Sequence, residues 1–228
     1  MIQNDKNEEV LKEDFQLGNS WSLSESYQST EQKHFSNFSS NNNTVFDFST
    51  LGSFALFWKH SNYSAPSSLF YDDVNNMIRK FKARDNDPEE KVVDSINLFK
   101  RGIKPMWEDP LNQNGCSYDI NLKGLAAEQI DDIWRSLVLC LVTDNFPFVQ
   151  YVTGVRILDR IKKHDTIRVE IWMSVGLKSH KQDSEEFIRN EIVIKTVVEH
   201  FVSILNRTVP VTEVELTKHD HEIRLKVN

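Results

Sequence analysis

The chain has 228 residues with 39% hydrophobic and 11% aromatic content, enough for one sizeable core and within the range of a single domain. A formal charge of −7, from 27 Lys and Arg against 34 Asp and Glu, excludes a protein that grips long nucleic acid mainly by releasing counterions from many phosphates, so any nucleic-acid contact is expected to be small and local. There are two cysteines, Cys116 and Cys140, no N-terminal signal pattern and no apolar run approaching the roughly 20 residues of a membrane span, which predicts a soluble protein of a reducing compartment, the cytoplasm with the nucleus as an additional setting.

Residues 1–14 are polar with few apolar anchors and read as a disordered tail, leaving 15–228 as one domain. From 19 to 43, Ser, Asn, Gln and Thr with scattered aromatics suggest a short strand plus loop. Leu51, Phe54, Ala55, Phe57 and Trp58 have helical spacing behind the possible caps Ser49 and Thr50. The stretch 70–95 mixes acids and bases around Pro88 and reads as a solvated, partly helical insertion. Between 125 and 142, Ile130, Ile133, Trp134, Leu137, Val138 and Leu141 share one broad helix face, with Asp131, Asp132 and Arg135 on the other side. Strands are expected at 152–158 and 166–173, the second placing Arg168, Glu170 and Trp172 on one face. A helix at about 184–205 and strands at 211–216 and 222–227 complete the chain.

The chemistry concentrates in Trp107-Glu108, in a turn-rich run between Gly102, Pro105 and Pro110. An aromatic face beside a carboxylate is a guanine-reading pair: the carboxylate accepts from the N1 and N2 donors of guanine, an edge adenine lacks. Methylation at N7 makes the base cationic, and an indole face attracts it by about 0.5–2 kcal/mol. The pair alone is weak, because a core tryptophan beside a solvated turn acid gives the same dipeptide.

The wider run Leu98-Phe99-Lys100-Arg101-Gly102-Ile103-Lys104-Pro105-Met106-Trp107-Glu108-Asp109 resembles the central motif of the eukaryotic translation initiation factor 4E family. The resemblance continues through Leu17-x-Asn19-x-Trp21, Phe48-x-Thr50, Asp132-Ile133-Trp134, Gly154 with Arg160, and Ile171-Trp172, over roughly residues 15 to 220. It implies an α+β fold, a curved antiparallel sheet of about eight strands with three helices on the convex face and a pocket for the 7-methylguanosine cap of mRNA on the concave face. It further implies stacking by Trp107, guanine-edge reading by Glu108, contact of Trp172 with the N7-methyl group, and phosphate contacts from Arg160 and Arg168, with Lys162 nearby. Where the family has a second stacking tryptophan this chain offers Phe35 or Phe38, a weaker cation–π partner.

The resemblance also implies a scaffold or repressor protein docking on the convex face, where Leu139 is retained and Leu17, Leu51 and Trp58 are the other candidate apolar anchors. Ala55 stands where the family has an exposed tryptophan, and Arg135 and Ser136 replace an apolar and an acidic position, so a divergent interface is expected. No enzymatic role, cofactor or metal is expected: the seven glycines form no phosphate-cradling loop, Glu185-Glu186 is an isolated acidic pair, and His219-Asp220-His221 lacks further ligands. The alternatives are an interaction protein with reduced or lost cap binding that competes for initiation partners, and a cap-processing hydrolase.

Overall fold

The computed structural model describes residues 14–29, 42–80, 82–84, 87–164, 166–177, 181–182, 184–211, 214–217 and 223–225. Residues 1–13 of the tail expected at 1–14, both candidate rings Phe35 and Phe38, and the His219-Asp220-His221 segment lie outside the described residues, whereas Asp14 is described and accepts from the Gly52 N–H.

Strand β1 (Gln16–Ser29) is followed by β2 (Asn42–Thr50), which runs directly into helix α1 (Leu51–His60). The reversal is capped locally. The Thr50 hydroxyl accepts from the Ser53 N–H at 3.3 Å, and the Asp14 carboxylate accepts from the Gly52 N–H at 2.6 Å, so donors without an intrahelical acceptor are satisfied by side chains. A 3-10 turn at Asn62–Ser64 leads into the short helix α2 (Pro66–Phe70).

The charged stretch expected as a partly helical insertion is instead built of strand. β3 (Tyr71–Asp73) and β4 (Ile78–Arg79) form a small sheet of their own, while β5 (Lys82–Arg84) pairs with the long β6 (Asp87–Lys100). The Asp73 carboxylate accepts from the N–H groups of Asn75 and Asn76 at 3.0 and 3.3 Å, an Asx turn that closes the β3–β4 hairpin. Val92 and Val93 are 4% and 2% exposed in register with Gln28 and Tyr27. Turn chemistry and β-branched burial thus outweigh the charge pattern that suggested a solvated helix.

After β7 (Cys116–Lys123) come α3 (Ala127–Val142), a 3-10 turn at Val149–Tyr151, β8 (Val152–Asp159), the single-turn α4 (Ile161–His164) and β9 (Thr166–Met173). Helix α5 (Glu185–Leu205) and strands β10 (Val214–Thr217) and β11 (Ile223–Leu225) follow. The main sheet is antiparallel, in the order β11-β10-β7-β9-β8-β6-β1-β2 with β5 on β6, nine strands among the described residues. It is the expected curved α+β architecture with three long helices on one side. No helix among the described residues is long and apolar enough to cross a membrane.

The period-2 alternation of the strands divides their residues between two faces. On the helix side, Trp21, Leu23, Ile96, Leu98, Ile120, Val155, Ile157, Val169 and Ile171 join Ile130, Ile133, Trp134, Leu137, Val138 and Leu141 of α3 in one core. Trp134 is fully buried and its indole N–H donates to the Tyr63 carbonyl at 2.8 Å; truncating such a side chain costs about 3–5 kcal/mol. Asp131, expected on the solvated side of α3, is also buried. Its carboxylate accepts from the Ser67 N–H and hydroxyl at 2.9 Å each, which caps the first turn of α2. Burial pushes its carboxyl pKa up in spite of these bonds.

The opposite face carries Ser24, Ser26, Ser95, Asn97, Ser117, Asp119, Arg156 and Glu170, all buried. Phe99 and Trp172 are buried there too, outside the main core cluster. A sheet face that is polar yet withdrawn from water has to satisfy its groups internally, and this face holds the candidate site.

Candidate functional site

The loop after β6 is held in one conformation by two side chains. The Asp109 carboxylate accepts from the Lys104 N–H at 2.9 Å and the Leu111 N–H at 3.0 Å. The Asn112 amide, fully buried, donates to the carbonyls of Lys104 and Met106 at 2.9 and 3.1 Å. Gly102 supplies the positive φ of +88° at which the chain leaves the strand. Trp107 and Glu108 ride on this cinched turn, Glu108 exposed and Trp107 half-buried. Asp109 and Asn112 were not expected as site residues; their signal was the density of turn formers around the motif, but which backbone groups they cross-link depends on the folded path.

The Trp107 ring rests on Trp172, with centroids 4.2 Å apart and planes inclined by 32°. Trp172 projects from β9, 3% exposed, and meets the edge of Phe99 at 5.8 Å and 67°. Opposite Trp172 on β8 stands Gly154, where an added Cβ would lie 2.4 Å from the Phe99 ring. Glycine there is the space that lets Phe99 lie beside Trp172. The Trp172 indole N–H donates to Glu170 Oε2 at 2.9 Å.

Arg168 shares the face of Trp172, four residues and about 13 Å back along the strand, a separation comparable to an extended nucleotide. Its Nη1 lies 3.3 Å from the Asp119 carboxylate and its Nε donates to Asn121 Oδ1 at 3.1 Å. Arg160, just past the end of β8, pairs with Asp94 at 3.2 Å. Lys162 falls within α4. The sequence sets only Asp159 and Asp165 against these cations, but the sheet brings Asp94 from β6, Asp119 from β7 and Glu170 from β9. The basic patch is therefore substantially matched by carboxylates from neighbouring strands, which linear charge counting does not reveal.

Arg156 is the third of these arginines and has a different setting. At 7% exposure it donates from Nε to Asn97 Oδ1 at 2.9 Å, lies 3.4 Å from Glu170 Oε2 through Nη1, and holds its guanidinium carbon 6.0 Å from the Trp172 ring centroid. Asn97 in turn donates to Ser26 and Ser24 Oγ at 3.1 and 3.3 Å. Alternation alone places Glu170 beside Trp172; the partnership with Arg156 required the β8–β9 register.

On the helix side, Leu51 and Leu139 are 40% and 43% exposed and Leu17 is half-buried. The Leu51 N–H donates to the Phe15 carbonyl at 2.8 Å, and Asn19 donates to Asp144, beyond the end of α3, at 3.0 Å. These bonds tie the starts of β1 and α1 and the end of α3 together, with Phe15, 74% exposed, beside them. Ala55 is exposed, and Arg135 engages Asp132 and the Ser64 carbonyl. Glu185 and Glu186 are exposed on the first turn of α5, Glu186 pairing with Arg189 at 3.4 Å.

Among solved structures, Ascaris suum eIF4E-3 in complex with m7G cap matches with a TM-score of 0.63 at 20% identity, over 91% of this chain and 92% of that one. Caenorhabditis elegans eIF4E-3 with the 4E-binding protein Mextli matches with a TM-score of 0.62 at 17% identity, over 92% and 100%; both likenesses establish the fold. Among curated proteins, Drosophila melanogaster eukaryotic translation initiation factor 4E1 is 29% identical over 119 residues, 48% of this chain and 45% of the relative. Triticum aestivum eukaryotic translation initiation factor NCBP is 32% identical over 111 residues, 49% and 37%. The matched segments thus span less than half the length of these two relatives. The family model described as Eukaryotic initiation factor 4E matches residues 16–223, and the chain belongs to that family.

Proposed function

We propose that the protein binds the 7-methylguanosine cap of mRNA on the concave face of its sheet and acts through that binding, not through catalysis, in translation initiation or its regulation. Trp107 supplies the aromatic surface, with the buried Trp172 packed behind it. Glu108 accepts from the N1 and N2 donors of guanine, and Phe35 or Phe38 is the opposing ring. Arg168 and Arg160, with Lys162, attract the phosphates, arginine adding a forked hydrogen-bonding geometry to its charge. The observation that carries this reading is the cinched turn that lays Trp107 on Trp172 while leaving Glu108 open to solvent. Family membership and the cap complexes solved for proteins of this fold support it.

The helix side is the proposed seat of a scaffold or repressor protein, through Leu17, Leu51 and Leu139, and the cytoplasm, with the nucleus, is the proposed setting. 4E-binding proteins bound to structures of this fold support such a partner. One observation favours a second reading, an interaction protein with reduced cap affinity: Arg156, Arg160 and Arg168 each already face a carboxylate. Titrating tryptophan fluorescence with m7GTP and with GTP separates the two. Saturable quenching with clear preference for m7GTP is expected; no quenching, or an equal response to both nucleotides, defeats the cap reading.

A further inference from the structure

We infer that Glu170 and Arg156 are positioning residues that set the base preference of the pocket through Trp172, an inference that rests on the cap reading above. Glu170 and Trp172 are two positions apart on one face of β9, and the indole has a single N–H donor. Its bond to Glu170 Oε2 at 2.9 Å therefore fixes which way the ring is turned. Both residues are buried, Glu170 at 8% and Trp172 at 3% exposure, so water does not readily replace the acceptor. Arg156 reaches the same oxygen at 3.4 Å and is itself anchored by Asn97 at 2.9 Å. The indole, the carboxylate and the guanidinium thus form one connected group on the pocket floor.

The charges have a directional consequence. With both members present the floor carries no net charge from the pair, and the carboxylate accepting from the indole N–H reinforces the electron-rich ring face. Without the Glu170 charge, the Arg156 guanidinium, 6.0 Å from the Trp172 ring centroid, loses the carboxylate 3.4 Å away, and the charge beside the ring becomes more positive. That added positive charge opposes an N7-methylated, cationic guanine and leaves a neutral guanine little affected. Without the Arg156 charge, Glu170 is left to favour the cationic base. The two substitutions therefore move the m7GTP-to-GTP preference in opposite directions, which loss of a merely structural pair would not do.

The test compares wild-type protein, Glu170→Gln and Arg156→Gln by calorimetric titration with m7GTP and GTP. The indole N–H resonance of Trp172, assigned with Trp172→Phe, is followed in the free proteins. Glu170→Gln, which keeps an acceptor oxygen but not the charge, is expected to lower the preference about tenfold and to shift the Trp172 indole resonance. Arg156→Gln is expected to raise the preference while weakening both nucleotides, and it carries the test alone should Glu170→Gln fail to fold. A wild-type preference that persists unchanged in these variants overturns the inference and leaves the cap reading standing; absence of preference in the wild type overturns both.

Discussion

Asp119, 2% exposed on β7, lies 3.3 Å from Arg168 on the neighbouring β9, so a cation proposed for phosphate binding is engaged by a carboxylate the sheet register puts beside it. A nucleotide phosphate has to compete with that carboxylate. Asp119→Asn keeps the shape and removes the competing charge, and Asp94→Asn does the same for Arg160. Each is expected to strengthen m7GTP binding about two- to fivefold, in line with the ~0.2–1 kcal/mol of partly exposed ion pairs, and to steepen its salt dependence. Affinity measured at two ionic strengths checks this; unchanged affinity in both variants would show that neither arginine meets the phosphates.

The turn that carries Trp107 depends on Asp109 and Asn112 more than on Trp107 itself. Asp109→Ala strips acceptors from the N–H groups of Lys104 and Leu111, and Asn112→Ala strips donors from two carbonyls. Hydrogen bonds to a charged group contribute about 1.5–3 kcal/mol each, so Asp109→Ala is expected to lower stability by a few kcal/mol. Its m7GTP affinity should fall by about tenfold or more, although neither residue is proposed to touch the ligand. Chemical denaturation and fluorescence titration of the two variants check both effects.

Much of this fold is legible in the sequence because it rests on short-range periodicity. The apolar face of α3, the alternation of β9 and the capped start of α1 all follow local spacing, and each element forms within a residue or two of where it is expected. The motif around Trp107 is legible for a different reason, its resemblance to a family pattern. What stays hidden is whatever depends on register between strands or on a neighbouring element. Asp131 looks solvated until α2 presents its Ser67 donors, and the arginines look opposed by Asp159 and Asp165 alone until the sheet register sets Asp94, Asp119 and Glu170 against them. In the stretch 70–93 the charge mixture pointed to a helix, while the Asx turn at Asp73 and the paired valines point to strand.

His200 on α5 gives the stability a pH dependence of definite sign. Its ring meets Phe146 edge-on at 4.7 Å, and Nε2 is buried without a hydrogen-bond partner. Burial holds its pKa below the usual 6.5, against a smaller opposing contribution from the Asn145 backbone. The unfolded chain then binds a proton more readily than the folded one as the pH drops through 6.5, so His200 makes the protein less stable on the acid side and neutral in effect above it. His200→Phe, which keeps the ring and removes the titration, is expected to flatten the fall in melting temperature between pH 7.5 and 5.5. An equal fall in both proteins would place the acid sensitivity elsewhere.

Leu51 and Leu139 separate a partner role from a folding role, because both are more than one-third exposed and lie outside the buried core cluster. An exposed leucine away from a core or cap changes stability by only about 0.5 kcal/mol on substitution, whereas an anchor at the centre of an interface costs about 2 kcal/mol or more of binding. Leu51→Asp and Leu139→Asp are therefore expected to leave the melting temperature and m7GTP affinity essentially unchanged, while each weakens a helical 4E-binding peptide at least thirtyfold. The exposed Ala55 offers no large apolar surface to such a helix, and Ala55→Trp is expected to strengthen the peptide, since aromatic anchors are what helix-in-groove recognition uses. Calorimetry with one peptide against all four proteins checks the set. Peptide binding that is strong in the wild type and indifferent to all three substitutions would move the partner surface off this face of the protein.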